Sequence, residues 1–124
     1  MEKVYGNVIP TGHYTPGIIS KGLLFVSGQP SVDPETGKLF QGGAGAETLC
    51  ALKRMESVLH AAGLTKENVV ICHIFMTDGS MWGEVNRAYS DFFGEHKPAR
   101  VAVPSAAMHN GCCVEVDAIA EFPE

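Results

Sequence analysis

From Cys113 to Phe122 the chain alternates without a break. Val114, Val116, Ala118, Ala120 and Phe122 fall on one side of an extended backbone, and Cys113, Glu115, Asp117, Ile119 and Glu121 fall on the other. Successive side chains of a strand point to opposite faces, so this run is a strand with one apolar face that needs a covering layer. Two segments of helical period supply that layer. Between Ala46 and Ala62, Leu49, Leu52, Met55 and Leu59 recur at three- and four-residue steps, with Lys53, Arg54 and Glu56 between them, and Gly63 stands where a glycine commonly closes a helix. Ser80 is placed to cap a second helix whose inward face is Trp82, Val85, Tyr89 and Phe92 or Phe93; Gly94 ends it and Pro98 forbids its continuation.

The remaining segments read as strands and turns. The N-terminal stretch to about Ser20, rich in Gly, Pro, Thr and Tyr, reads as a short strand plus a structured loop. Leu23–Ser27 lies between Gly22 and Gly28 and reads as a buried strand; Val69–Met76 and Arg100–Val103 read as two more. Asp33-Pro34-Glu35-Thr36-Gly37 predicts a sharp reversal, because proline pre-sets φ and glycine tolerates positive φ. The order strands, helix, strand, helix, strands predicts an α+β domain spanning 1–124, with two helices on one face of a sheet. The other face of the last strand carries Glu115 and Asp117 beside Cys113 and Ile119. Contact with another subunit, or the solvated side of an antiparallel sheet, accounts for such a face.

Composition excludes several classes. The chain has 124 residues, 45 % of them apolar and 19 % charged, which is not a disordered composition. No apolar run approaches the roughly 18 residues of a spanning helix, and the N-terminus has no apolar signal segment, so a cytoplasmic location is expected. Nine Lys and Arg against fourteen Asp and Glu give a net charge of −5, which disfavours a general nucleic-acid binder. Cys50, Cys72, Cys112 and Cys113 have no metal or redox spacing, and reduced thiols are expected. His109 with Cys112 and Cys113 is irregularly spaced for a tetrahedral ion. Cys72 and His73 point to opposite faces of one strand, so no metal site is predicted. Trp82 and the helix aromatics read as core.

Taken together, Gly12–Gly17 (GHYTPG), Leu24–Gln29 (LFVSGQ), Asp33–Gly37 (DPETG), Val69–Asp78, Glu84–Tyr89 (EVNRAY) with Phe92–His96 (FFGEH), Lys97–Val103 (KPARVAV) and Val114–Ala120 (VEVDAIA) resemble the RidA/YjgF family, the endoribonuclease L-PSP type. The resemblance spans most of the chain. It implies a chorismate-mutase-like α+β fold and a homotrimer with a cleft at each subunit interface. It also implies cofactor-independent hydrolysis of 2-aminoacrylate-type enamine and imine acids to 2-keto acids and ammonia. Two other readings stay open: a trimeric module that binds small carboxylates without turnover, and the ribonuclease or translation-inhibitor role that some members carry.

The residues support that chemistry to different degrees. Arg100 presents a rigid donor fork that matches a carboxylate, and the resemblance puts the substrate carboxylate there; an ion pair with Glu115 or Asp117 is the competing role. Glu115 sits among apolar neighbours, and the resemblance gives it the attacking water, with an inter-subunit salt bridge as the alternative. Asp117 reads as structural. The resemblance places Tyr14 over the substrate, against packing on the sheet. Ser27 is a candidate hydrogen-bond donor beside Gly28, against satisfaction by the backbone. Asn86, unfavourable in mid-helix, predicts a specific hydrogen bond to a loop or across an interface. Several positions depart from the family pattern. Val101 and Ala102 follow Arg100 in place of a cysteine or serine, which excludes a cysteine nucleophile there. Pro104, the Met108–Gly111 loop, His13 and Pro16 also differ and put the substrate in question more than the fold.

Overall fold

The computed structural model describes residues 1–108 and 110–124. The chain runs β1 (Glu2–Val4), β2 (Gly17–Ser20), β3 (Leu23–Pro30), α1 (Ala44–Ala61), β4 (Val69–Met76), α2 (Trp82–Phe93), β5 (Ala99–Pro104) and β6 (Val114–Glu121). Single 3-10 turns at Lys66–Asn68 and Gly79–Met81 lead into β4 and α2. One mixed sheet forms in the order β1-β2-β3-β6-β4-β5, and the β4–β5 pair is its parallel one. The alternating segment therefore becomes an inner strand, flanked by β3 and β4.

Its two faces have different fates. Val114, Val116, Ala118 and Ala120 are buried with Leu24, Val26, Cys72, Ile74 and Met76 beneath Leu52, Met55, Val58 and Leu59 of α1 and Val85, Tyr89, Phe92 and Phe93 of α2. This is the only buried hydrophobic cluster of the described residues. The opposite face has no cover among the described residues. It carries Phe25, Ile119, Ile71, Phe75, Val101 and Val103, with His73 and Asp117 at its centre. His73 Nδ1 lies 2.6 Å from Asp117 Oδ1 on the neighbouring strand, which accounts for Asp117 structurally.

Three details differ from the periodicity. Leu49 is 39 % exposed: at about 100° per residue it stands about 120° round the helix from Met55. Glu47 and Arg54 take places on the buried stripe instead, at steps of four, three and four through Ala51 to Val58. Trp82 is 47 % exposed rather than core, because it opens α2 above the edge strand β5. Asp78, not Ser80, provides the cap before α2: its carboxylate accepts the Ser80 amide at 2.8 Å. Ile18 and Ile19 also form a strand, β2, where a loop was expected. The Asp33–Gly37 reversal forms as predicted: Gly37 has φ 71°, its N–H donates to Asp33 O at 2.8 Å, and Val32 bridges to Leu39.

Candidate functional site

The predicted site residues assemble in two places. One is an open cavity of about 790 Å³ whose lining includes Tyr14, Ser27, Gly28, Glu115, Arg54 and Asn110. The loop bearing Tyr14 is strapped to the sheet by two bonds. The Ser27 amide donates to Pro16 O at 2.8 Å, and the Ser27 hydroxyl donates to Thr15 O at 2.6 Å. Ser27 is thus satisfied by backbone as a donor, as the alternative role for it had it, and the residue also lines the cavity. Tyr14 is 39 % exposed at the cavity wall.

A bulge in β3 makes room for Glu115. Val26 pairs with Ala118 and Gln29 with Val116, so Ser27 and Gly28 together oppose the single residue Asp117. A Cβ on Gly28 would lie 2.9 Å from a Glu115 carboxylate oxygen. The absent side chain at Gly28 is therefore occupied by the Glu115 carboxylate, which sits half-buried at the cavity wall.

The second place is the α2 side of edge strand β5. Arg100 Nη1 donates to Asn86 Oδ1 at 2.7 Å, and the guanidinium lies 5.0 Å from the Tyr89 ring centre and 5.9 Å from that of Trp82. Asn86 thus bonds the strand of its own chain. The competing ion pair does not form: Asp117 is engaged by His73, and Arg100 pairs with no carboxylate among the described residues. Asn86 as a neutral acceptor and two ring faces orient the guanidinium without neutralising it, and its other donors stay available.

Within one chain the two places do not meet. Arg100 pairs with Cys72 and shares its helix-side face, whereas Glu115 is on the opposite face of β6. Two strand spacings, about 10 Å, a register offset of three residues along the strands, and the thickness of the sheet separate them.

Sequence reasoning missed two residues. Glu47 is buried and accepts from Ser31 Oγ and the Cys113 amide, each at 3.1 Å. Burial works to raise its pKa, but hydrogen bonds from Cys113, Ser31 and the Gly42 backbone outweigh burial and hold the carboxyl below its ordinary range. Arg54 is only 7 % exposed, its Nε has no hydrogen-bond partner, and its Nη1 reaches Pro30 O at 3.4 Å. The 4-3-4 spacing of Glu47, Ala51, Arg54 and Val58 was the available signal for both.

The cysteines are free thiols, and burial pushes Cys72 up to about 12 and, with Glu47 beside it, Cys113 up to about 12. Such thiols are poor nucleophiles at neutral pH. His109 lies outside the described residues, and no three of the described His, Cys, Asp and Glu residues converge as a metal site. No helix of the described residues is long and apolar enough to cross a membrane.

Comparison with known proteins places this geometry. The endoribonuclease L-PSP family model matches residues 6–122. The chain is 37 % identical over 109 residues to the 2-iminobutanoate/2-iminopropanoate deaminase of Rattus norvegicus, covering 88 % of this chain and 80 % of the relative. It is 33 % identical over 111 residues to a RutC family protein of Pyrococcus horikoshii, covering 90 % and 88 %. The crystal structure of the YjgF gene product of Escherichia coli superposes with a TM-score of 0.92 at 28 % identity, over 99 % of this chain and all of that one.

Proposed function

This chain belongs to the endoribonuclease L-PSP family, the family of RidA and YjgF, and from that premise we propose that it hydrolyses 2-imino acids to 2-keto acids and ammonia. The observation that carries the proposal is Arg100: a guanidinium oriented by Asn86 and two rings, with no acid to neutralise it among the described residues. A fork held in this way is suited to the carboxylate that every 2-imino acid carries beside its reactive carbon. A relative named for that activity shares 37 % of the aligned residues.

The separation of Arg100 from Glu115 is resolved by assembly. The uncovered sheet face, with Phe25, Phe75, Val101 and Val103, is too apolar to be left in water. We read it as the surface on which three copies close into a homotrimer. The Arg100 of one copy then faces the Tyr14–Glu115 cavity of a neighbour, and the interface cleft is the active site.

The mechanism follows from the groups present. Arg100 binds the carboxylate and positions the imine carbon. Glu115 accepts a hydrogen bond from a water, with a backbone carbonyl as its second acceptor. The water adds to the C=N carbon and its proton passes to the imine nitrogen. The resulting amino alcohol expels ammonia as its hydroxyl proton passes by way of Glu115 to the amino nitrogen, the C–N bond breaks and the C=O bond forms. Tyr14 closes the cleft over the substrate and Ser27 accepts a hydrogen bond. The uncatalysed hydrolysis is already fast, so positioning and charge stabilisation suffice without a covalent nucleophile.

The test generates an imine in situ with an amino-acid oxidase and lets semicarbazide compete for it. Wild type should deplete the imine faster than buffer does, and Arg100→Ala, checked for fold by circular dichroism, should be slower by about 30-fold or more. Wild type no faster than buffer across several imines would remove the deaminase reading. Carboxylate binding without turnover would put the binding module in its place.

A further inference from the structure

Arg54 is a buried cation that no described carboxylate pairs with. It projects from the buried side of α1, is 7 % exposed, and forms no ion pair with any described residue. Of its five N–H donors, one makes a long contact to Pro30 O at 3.4 Å, and Nε has nothing. Arginine cannot relieve this by losing its proton, and an unpaired buried charge is strongly unfavourable. A leucine or methionine would fill the same stripe position without that cost. The guanidinium also lines the cavity that holds Tyr14, Ser27 and Glu115. That cavity, at about 790 Å³, is larger than a three-carbon imino acid fills; Asn7, Thr11 and Asn110 are neutral polar residues of its wall, Asp33 and Glu115 are its acids, and Arg54 is its one cation among the described residues.

We propose that Arg54 receives a second carboxylate, so that the cavity selects 2-imino and 2-keto acids with an acid group on the side chain as well. The 2-carboxylate goes to Arg100 and the side-chain carboxylate to Arg54, whose fixed and partly dry fork matches it bidentately. The turnover part of this inference rests on the deaminase reading, and the binding part rests on the proposed assembly that brings the Arg100 of a neighbouring copy to this cavity.

Calorimetric titration of the full chain with 2-oxoglutarate, oxaloacetate, 2-oxobutanoate and acetate separates the outcomes. The dicarboxylic keto acids should bind at least roughly tenfold tighter than 2-oxobutanoate, the worth of one charge-assisted contact. Arg54→Met should bring that ratio close to one, and Arg54→Lys should keep part of it. No preference in wild type overturns the inference without recourse to a variant. Acetate binding that depends on Arg54, with dicarboxylates no tighter than 2-oxobutanoate, means a free anion occupies the site and also overturns it. So does an Arg54→Met protein whose oligomeric state changes while the dicarboxylate preference persists, since Arg54 would then serve an interface. Imines made from aspartate, glutamate and alanine provide the second arm. Equal turnover of all three, unchanged in Arg54→Met, sinks this inference and leaves the deaminase reading standing. Arg54-dependent dicarboxylate binding with no turnover of any imine does the reverse.

Discussion

Arg100 and Glu47 illustrate how a charged side chain is held in two opposite ways. Arg100 is oriented by neutral groups, an amide oxygen and two aromatic faces, so its charge is not neutralised by any described residue. Glu47 is consumed by the fold: Ser31 and the Cys113 amide bind its carboxylate and tie the start of α1 to the segment entering β6. Because the native pKa of Glu47 is lowered against an ordinary 4.5, the carboxylate stabilises the fold fully at pH well above that value. The contribution is lost as pH falls through the depressed native pKa. Urea midpoints measured from about pH 6 down to about pH 3 should fall steeply for wild type. Glu47→Gln should start lower at neutral pH and fall less steeply. Identical slopes would mean that Glu47 is not the group responsible. Arg100 was singled out by the resemblance, since its residue type alone favoured an ion pair, and Arg54 was not singled out at all. Arginine normally marks a solvated helix face, and a stripe traced through Leu49 turns Arg54 outward.

At the scale of elements, the bulge in β3 decides where the cavity wall stands. Two residues against one tilts the strand and brings Gly28 over β6, where only hydrogen leaves space for the Glu115 carboxylate. Gly28→Ala should therefore displace the end of a flexible side chain rather than backbone. The expected result is a thermal midpoint within a few degrees of wild type and an imine-hydrolysis rate lowered by about tenfold or more, since a misplaced water contact is costly to rate. A large loss of stability with normal activity per folded molecule would mean that Glu115 does not set the water. Gly28 lies within the bulge, and the group that approaches it is the protein's own Glu115 carboxylate; that register is a tertiary outcome. The α2 start shows the same limit. Ser80 and Asp78 are both good caps, and the 3-10 turn Gly79–Met81 determines which of them is in range.

For the whole molecule, the uncovered sheet face is the decisive feature. Phe25 is 41 % exposed and Val101 and Val103 are comparably open in one chain, beside the His73–Asp117 pair at 2.6 Å. Assembly on this face predicts that Phe25→Glu dissociates the protein. Light scattering should give a trimer for wild type and a monomer for the variant, with the far-ultraviolet spectrum retained and imine hydrolysis lost. Phe25→Leu should remain assembled and active. A wild-type monomer with full activity would remove the shared cleft and require Arg100 to act alone.

Both helices and the strands β3, β4, β5 and β6 were contained in periodicity, because periods of two and of three to four are local geometry, whereas β2 and the order of the strands were not. The alternation of β6 even marked the face that lacks a cover. Pairing of Arg100 with Asn86, the seating of Glu115 against Gly28, and the burial of Arg54 were not contained there. Each depends on distances between segments far apart in the chain, and side-chain chemistry alone states what a residue is able to bind, not what stands next to it. Folding brings the Tyr14–Glu115 group together on one side of the sheet and holds Arg100 on the other, because successive residues of a strand point to opposite faces and the strand register puts Arg100 in line with the helix-side residues of β4 and β6.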